Sequence, residues 1–257
     1  MSKIFITGSS EGLGQMAAIL LIDQGHEVVL HARNAERGAA AIQAVPGAKK
    51  VLIGDLANIE ETKKLAAQAN EMGHFDAIIH NAAVYKGADM VKSADGLPLL
   101  FAINTLATYL LTCLIQKPTR LIYMSSDMHM GGDPSLADLK GGAFNSTYSD
   151  TKLHDLMLAL AIARKWPDIY SNAVHPGWVP TKMGGANAPD NLRKGFETQA
   201  WLAVSNDANA KISGRYFYHQ KETRFLPAAA DINLQEQLLA LCEEVSGVPF
   251  VNPGDAW

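Results

Sequence analysis

The chain has 257 residues, with 22 Lys and Arg against 26 Asp and Glu and a net charge of −4. That length can bury a substantial core in one large domain, and the acidic balance offers no electrostatic case for nucleic acid. Cys113 and Cys242 sit in apolar helical patterns and read as buried thiols, so neither a disulfide nor a metal site is expected. No apolar run approaches a membrane span, and Met1-Ser-Lys passes directly into a strand-like Ile4-Phe-Ile-Thr without a signal-peptide pattern. The expectation is a cytoplasmic protein without a membrane or nucleic-acid partner.

Strand candidates fall at residues 3–7, 27–31, 50–53, 75–80, 120–125, 170–175 and 215–218. Several are apolar at successive positions, as in Val28-Val-Leu and Ala77-Ile-Ile, which suits strands buried on both faces of a parallel sheet. Helical patterns fall between them near 12–24, 34–44, 58–72, 93–116, 147–165 and 194–205, with a last one at 233–245. This alternation predicts an α/β fold: a doubly wound parallel sheet of about seven strands with helices on both faces. No linker divides the chain, so residues 1–257 are expected to form one domain. Ligands should bind beyond the carboxyl ends of the strands.

The first strand runs into Thr7-Gly8-Ser-Ser-Glu-Gly12-Leu-Gly14, and helical spacing follows in Met16, Ile19, Leu20 and Leu21. A strand, a glycine turn and a helix N-terminus suit a pyrophosphate, because free N–H groups and the helix dipole face an anion there. Gly8 and Gly12 allow the tight turn, and Gly14 lets the helix pack on the sheet. Further on, Tyr148 and Lys152 stand at i and i+4 in Asn145-Ser-Thr-Tyr-Ser-Asp-Thr-Lys, on one helix face. An ammonium beside a phenol favours the phenolate and is expected to pull the tyrosine below its usual pKa of about 10.

The G-x-x-x-G-x-G spacing, taken with Tyr148 and Lys152, resembles the short-chain dehydrogenase/reductase family, and the resemblance covers nearly the whole chain. Asp55-Leu56 follows the third strand, where that family places an acidic residue near adenine. Asn81-Ala82-Ala83 is similar to the family's Asn-Ala-Gly, with Ala in place of the last glycine. Asn104, in Phe101-Ala-Ile-Asn-Thr, matches the family's helix asparagine. Pro176-Gly177-Trp-Val179-Pro-Thr181 matches the segment that packs on the nicotinamide. Ser125 and Ser126 both end the fifth strand; the family's spacing aligns Ser126 with its catalytic serine and Ser125 with the preceding small position. The long interval from Ser126 to Tyr148, with His129, Asp138-Leu139, Asp95-Gly96 and Gly214-Arg-Tyr-Phe217, is similar to the branch of retinol dehydrogenases and related carbonyl reductases.

The resemblance implies an oxidoreductase that moves a hydride between NAD(P)(H) and a carbonyl or alcohol carbon of a small molecule. Tyr148, Lys152, Ser126 and Asn104 are its expected catalytic set, with Asn104 supporting a water that links Lys152 to solvent. Gly8, Ser10, Gly12, Leu13, Gly14, Arg33, Asp55, Leu56, Asn81, Ala82, Ala83, Tyr148, Lys152, Pro176, Gly177, Val179 and Thr181 are its expected cofactor contacts. The second strand ends His31-Ala32-Arg33, with Ala32 where an acidic residue would favour NAD. Arg33 can meet a 2′-phosphate with a planar fork of donors, and Ser10 and Arg37 can help, so NADP(H) is expected. The other readings are an NADP(H) sensor without catalysis, which the complete catalytic set opposes, and a sugar-nucleotide enzyme, for which the C-terminal segment is short. Residues 182–194, rich in Gly, Asn and Pro, read as a loop over the nicotinamide end. Pairing with a second copy through the helix of Tyr148 and Lys152 is left open; its outer face would carry Leu153, Met157 and Leu160 but also His154 and Asp155.

Overall fold

Residues 1–250 are described in the computed structural model, so the last part of the expected 1–257 domain, residues 251–257, lies outside the described residues. The strands are β1 (Lys3–Ile6), β2 (Glu27–Ala32), β3 (Lys50–Ile53), β4 (Ala77–His80), β5 (Arg120–Met124), β6 (Tyr170–Val174), β7 (Tyr216–Tyr218) and β8 (Lys221–Glu222). They form one sheet in the order β3-β2-β1-β4-β5-β6-β7-β8. The first seven are parallel, as the alternation predicts; β8 is a two-residue antiparallel addition through a turn at His219 and Gln220, both at positive φ. Every residue of β4 and β5 is buried, which explains their unbroken apolar runs.

The helices are α1 (Gly12–Asp23), α2 (Ala35–Ala44), α3 (Ile59–Glu71), α4 (Ala107–Leu114), α5 (Ala137–Lys140), α6 (Tyr148–Lys165), α7 (Leu192–Val204) and α8 (Ile232–Ser246). α1, α2 and α7 bury one face of the sheet in a cluster that includes Ala17, Leu21, Val28, Ala41, Ile79, Val174 and Leu202. α3, α4, α6 and α8 bury the other, with Phe5, Leu65, Phe101, Leu110, Leu156, Ile162 and Leu238. The chain winds outward in both directions from β1 and β4, so a crevice opens beyond their carboxyl ends.

Two expected elements differ. The helix read at 93–116 begins only after Pro98, because residues 92–98 form a tight turn closed by the Lys92–Pro98 bridge and Ser93 N–H to Leu97 O at 2.7 Å. A proline disfavours helix in the residue before it, so Leu97 stays in the turn and the helix starts just after Pro98. Its first part, Phe101–Leu106, is wound as a π-helix that carries Asn104. The loop read at 182–194 closes earlier: Asn191 caps α7 by accepting from Lys194 N–H, so the last residues of that stretch are helical.

Helix α6 is buried on nearly every side. Leu153 and Met157 are 0% exposed and Leu160 is 8% exposed. The face expected to point outward is therefore interior, covered by α8 and the turn Pro227–Ala230.

Candidate active site

Glycines shape the turn between β1 and α1. Gly8 has φ +62°, and a Cβ there would lie 2.7 Å from Cα of Ala82. Gly12, at φ +64°, opens α1 with nothing within 4 Å of where its Cβ would stand. No side chain caps α1, so its first N–H groups remain available to an anion. Behind the turn, buried His31 accepts from Gly8 N–H at Nδ1 (2.9 Å), which fixes its own N–H at Nε2, bonded to Gly54 O at 2.9 Å. Burial holds this imidazole below its ordinary pKa, and it works as a neutral strut. Ser10 and Leu13 flank the turn, half-buried.

Asn81 locks the turn to β4. Its Nδ2 donates to Thr7 O (3.0 Å) and Gly8 O (3.1 Å), while Thr7 Oγ1 accepts from the N–H groups of Asn81 and Ala82. At the outer end, Arg33, Asn34, Ala35, Ile53, Asp55 and Glu61 line an open recess. Arg33 is exposed and Ala32 is buried. Arg37 is engaged elsewhere, with Glu11 at 2.9 Å. Asp55 is partly committed too, its carboxylate accepting from Ala57 N–H at 2.9 Å. The Leu56 side chain packs into the core at 7% exposure. Glu61 was not expected; its carboxylate accepts from Asp55 N–H at 2.7 Å and shapes the recess.

At the inner end, Gly177 has φ +84°, and a Cβ there would meet Asp190 at 2.5 Å. Asp190 accepts from Trp178 N–H at 2.6 Å and so ties 176–181 to the start of α7. Val179 is buried, half-buried Thr181 and Pro176 flank it, and Trp178 stands 59% exposed with its indole N–H on Gly184 O at 2.9 Å.

The catalytic candidates converge where β5 ends and α6 begins. A capping box starts α6: Thr147 Oγ1 accepts from Asp150 N–H, and the Asp150 carboxylate accepts from Thr147 N–H at 2.7 Å. Tyr148 is thus the first residue of the helix, where the dipole favours a phenolate. The Lys152 ammonium lies 5.5 Å from the centre of the Tyr148 ring. The net effect on Tyr148 is nevertheless upward: burial outweighs Lys152, which pulls the other way, and Asp155, Tyr85 and Asp127 add to the rise. The expected depression does not hold for this arrangement, because burial of the phenol outweighs the pull of Lys152, and Lys152 also faces its own counter-charge. Its Nζ donates to Asp155 Oδ2 at 2.7 Å and to Met124 O at 2.8 Å, with both side chains almost fully buried.

Ser126 is half-buried at the rim and caps the short turn Asp127–Gly131, accepting from Met128 N–H at 3.2 Å. Ser125 is buried and donates to Lys152 O at 2.7 Å, a link between β5 and α6. Asn104 is fully buried. Its amide spans Val84, accepting at 2.8 Å and donating at 3.0 Å, and also donates to Thr151 Oγ1. Both amide N–H groups are therefore spent on protein partners, which makes Asn104 a clamp between the β4 loop and α6. His129 is a strut as well: Leu226 N–H donates to Nε2, so Nδ1–H donates to Ser126 O at 2.6 Å. Two residues at this end were missed. Tyr85 packs its ring 4.3 Å from that of Tyr148. Asp155, read as an outer-face polar residue, is the partner of Lys152; its i+3 spacing was the available signal.

A glycine turn thus opens α1, and a tyrosine–lysine pair stands at the start of α6. The family model described as short chain dehydrogenase matches residues 2–192, and the chain belongs to that family. It is 50% identical over 253 residues to an uncharacterised oxidoreductase of Emericella nidulans, covering 96% of this chain and 98% of that one. It is 27% identical over 288 residues to retinol dehydrogenase 14 of Mus musculus, covering 95% and 86% respectively, in keeping with a place near the retinol dehydrogenase branch. Among solved structures, an uncharacterised protein of Mycobacterium paratuberculosis superposes with a TM-score of 0.81 over 98% of this chain and 95% of that one at 22% identity, which shows the same fold. The protein is thus an NAD(P)-dependent dehydrogenase/reductase of this family. No helix of the described residues is long and apolar enough to cross a membrane.

Proposed function

We propose that the protein uses NADP(H) to interconvert a bulky apolar ketone or aldehyde and its alcohol. The observation that carries this reading is Lys152 beside Tyr148 at the start of α6 and bonded to the end of β5, where Ser126 follows, with Arg33 exposed after β2. The glycine turn supports a dinucleotide reading: Gly8 packs its backbone on Ala82, and Gly12 leaves open space at the uncapped start of α1. Gly8, Ser10, Gly12, Leu13 and Gly14 would hold the pyrophosphate, and Asn81, Ala82 and Ala83 the adjoining ribose and base. Pro176, Gly177, Val179 and Thr181 would flank the nicotinamide. Arg33, exposed and in no salt bridge among the described residues, would take the 2′-phosphate. When bound, the cofactor supplies the hydride.

The chain manages the proton. Tyr148 would donate from its hydroxyl to the carbonyl oxygen, and Ser126 Oγ would hydrogen-bond that oxygen as charge develops. Lys152 would hold the nicotinamide ribose and favour the phenolate left behind. Asn104 would keep the β4 loop and α6 in register. The mouth is apolar and adaptable: Met128, Met130, Met183 and Trp178 are exposed, and Tyr85 backs Tyr148.

The test is aerobic turnover of an aldehyde and ketone panel with NADPH, in wild type and Tyr148→Phe. Loss of turnover with NADPH binding retained is expected. Near-normal kcat in Tyr148→Phe would sink the reading.

A further inference from the structure

The reading of Tyr148 as proton donor leaves a buried carboxylate unexplained. Asp155 sits one turn beyond Lys152 on α6, and the two side chains are 5% and 2% exposed. A buried ion pair is weak grounds for stability, since desolvating both charges offsets most of their attraction. A pair inside an active site therefore needs another account.

Geometry supplies one. The Lys152 ammonium has three N–H groups. One goes to Asp155 and one to Met124 O, at the end of β5. One is left for a cofactor hydroxyl or the Tyr148 oxygen. Asp155 thus sets both where the ammonium stands and how much of its charge reaches the phenol. The other titratable groups nearby do not share this position. Tyr123, on β5, faces Asp155 but donates or accepts at Thr112 Oγ1 (3.0 Å), and Thr112 in turn meets His80 at 3.2 Å. His154 turns away to Thr105 at 3.1 Å. Asp127 and Tyr85 act on Tyr148 from the β5 and β4 loops but do not bond Lys152. Tyr216, on β7, lies against His129.

We propose that Asp155 is a positioning residue of the reaction: it anchors the Lys152 ammonium to the β5 end and balances its charge, and so sets the pH at which Tyr148 exchanges its proton. This rests on the reading of Tyr148 and Lys152 given above. The sign follows from charge. A carboxylate near the phenol disfavours the phenolate directly and also masks the lysine. Its removal leaves the ammonium with the Tyr148 oxygen as its nearest anion, and the phenolate forms at lower pH. Alcohol oxidation, which needs the phenolate, then switches on at lower pH. Carbonyl reduction, which needs the phenol, falls away at lower pH too.

The experiment is a titration of protein labelled with 13Cζ-tyrosine, with and without NADP+, the Tyr148 signal being assigned by its absence in Tyr148→Phe. Asp155→Asn keeps the shape and a hydrogen-bond acceptor, and should move the Tyr148 midpoint down by about one pH unit, at the low end of what a neighbouring charge does. Asp155→Ser should move it the same way, which covers failure of either neutral variant to fold. Asp155→Glu, which keeps the charge, should stay near wild type. In a Lys152→Gln background the Asp155→Asn shift should shrink, because the carboxylate acts through the lysine. An unmoved midpoint in folded Asp155→Asn or Asp155→Ser, or a full shift without Lys152, overturns the proposal. The titration needs no turnover: retained activity in Tyr148→Phe would defeat the functional reading, while an unmoved midpoint beside an inactive Tyr148→Phe defeats only the role of Asp155.

Discussion

A Cβ placed on Gly14 would lie 2.4 Å from Nδ2 of Asn81, so the glycine in α1 and the asparagine after β4 occupy one shared space. The amide that forbids a side chain at Gly14 is the one that holds the carbonyls of Thr7 and Gly8. Gly14→Ala should therefore displace the amide, cost about 1–3 kcal/mol by overpacking and weaken cofactor binding. Asn81→Ala should relieve the closer part of the clash, leaving Gly8 O at 2.9 Å, while losing the clamp, so the double variant should be less damaged than the sum of the two. Thermal melts and cofactor titrations of the three proteins check this; strict additivity would show that the two sites are independent.

Cofactor choice is tested at the end of β2. Arg33→Ala should weaken NADPH roughly tenfold or more, the worth of a lost charge-assisted bond, and NADH little. Adding Ala32→Asp should reverse the preference, by repelling the 2′-phosphate and taking the ribose hydroxyls. Arg37→Ala should matter less, since Arg37 already serves Glu11. Equal losses for both cofactors in Arg33→Ala would refute a phosphate contact.

Acid should unfold the protein through buried imidazoles. Burial holds His80 down to about 3 and His154 to about 4. Their ordinary value is about 6.5, so the unfolded chain takes up protons that the folded one refuses. Their contribution is complete above pH 6.5 and drains away as pH falls toward 4. Asp155 works in the opposite direction, because burial raises it to about 6. With two imidazoles against one carboxyl, the melting temperature should drop by several degrees between pH 7 and pH 4.5, and His154→Gln should flatten that slope. A slope unchanged in His154→Gln would refute the assignment.

The segment after Gly177 is predicted to move with ligand. It is tied down by few bonds, among them Gly185 N–H to Thr181 O at 2.8 Å and Asp190 N–H to Trp178 O at 3.0 Å. Lys182 reaches back to Glu11 of the glycine turn at 3.6 Å with 79% of its side chain exposed. Amide exchange at 182–190 should be fast alone and slower with NADP(H) and a carbonyl ligand. Gly184→Ala should change kcat and KM together, since its Cβ would stand 2.2 Å from Val179 O. Slow exchange without ligand, with a wild-type-like Gly184→Ala, would refute a lid.

Much of this was legible in advance because parallel strands announce themselves. Val28-Val-Leu and Ala77-Ile-Ile are apolar on both faces, and the sheet buries both. The glycine turn and the Tyr148–Lys152 pair were legible because backbone space and helical spacing leave few substitutes. What stayed hidden depends on neighbours distant in sequence. Asp155 was read as facing outward because an amphipathic helix was assumed, whereas α6 is wrapped by β5, β6 and α8 and has almost no outer face. Its effect on Tyr148 followed it out of sight. The late start of the helix carrying Asn104 turned on Pro98, whose compatibility with a helix start competes with its meaning as a breaker.

The cover over α6 has a consequence for how the enzyme comes into being. Glu236 of α8 pairs with Arg164 and Lys165, Trp166 stacks on Phe250 at 5.6 Å, and Tyr109 O–H donates to Val248 O at 2.9 Å. The residues that seal α6 thus leave the ribosome after α6 itself does. A growing chain can complete its glycine turn and half its sheet early, but the side of α6 that meets α8 stays uncovered until α8 arrives. The glycine turn is thus complete before the helix of Tyr148 and Lys152 is sealed, and during that interval the open side of α6 is the surface a chaperone would meet.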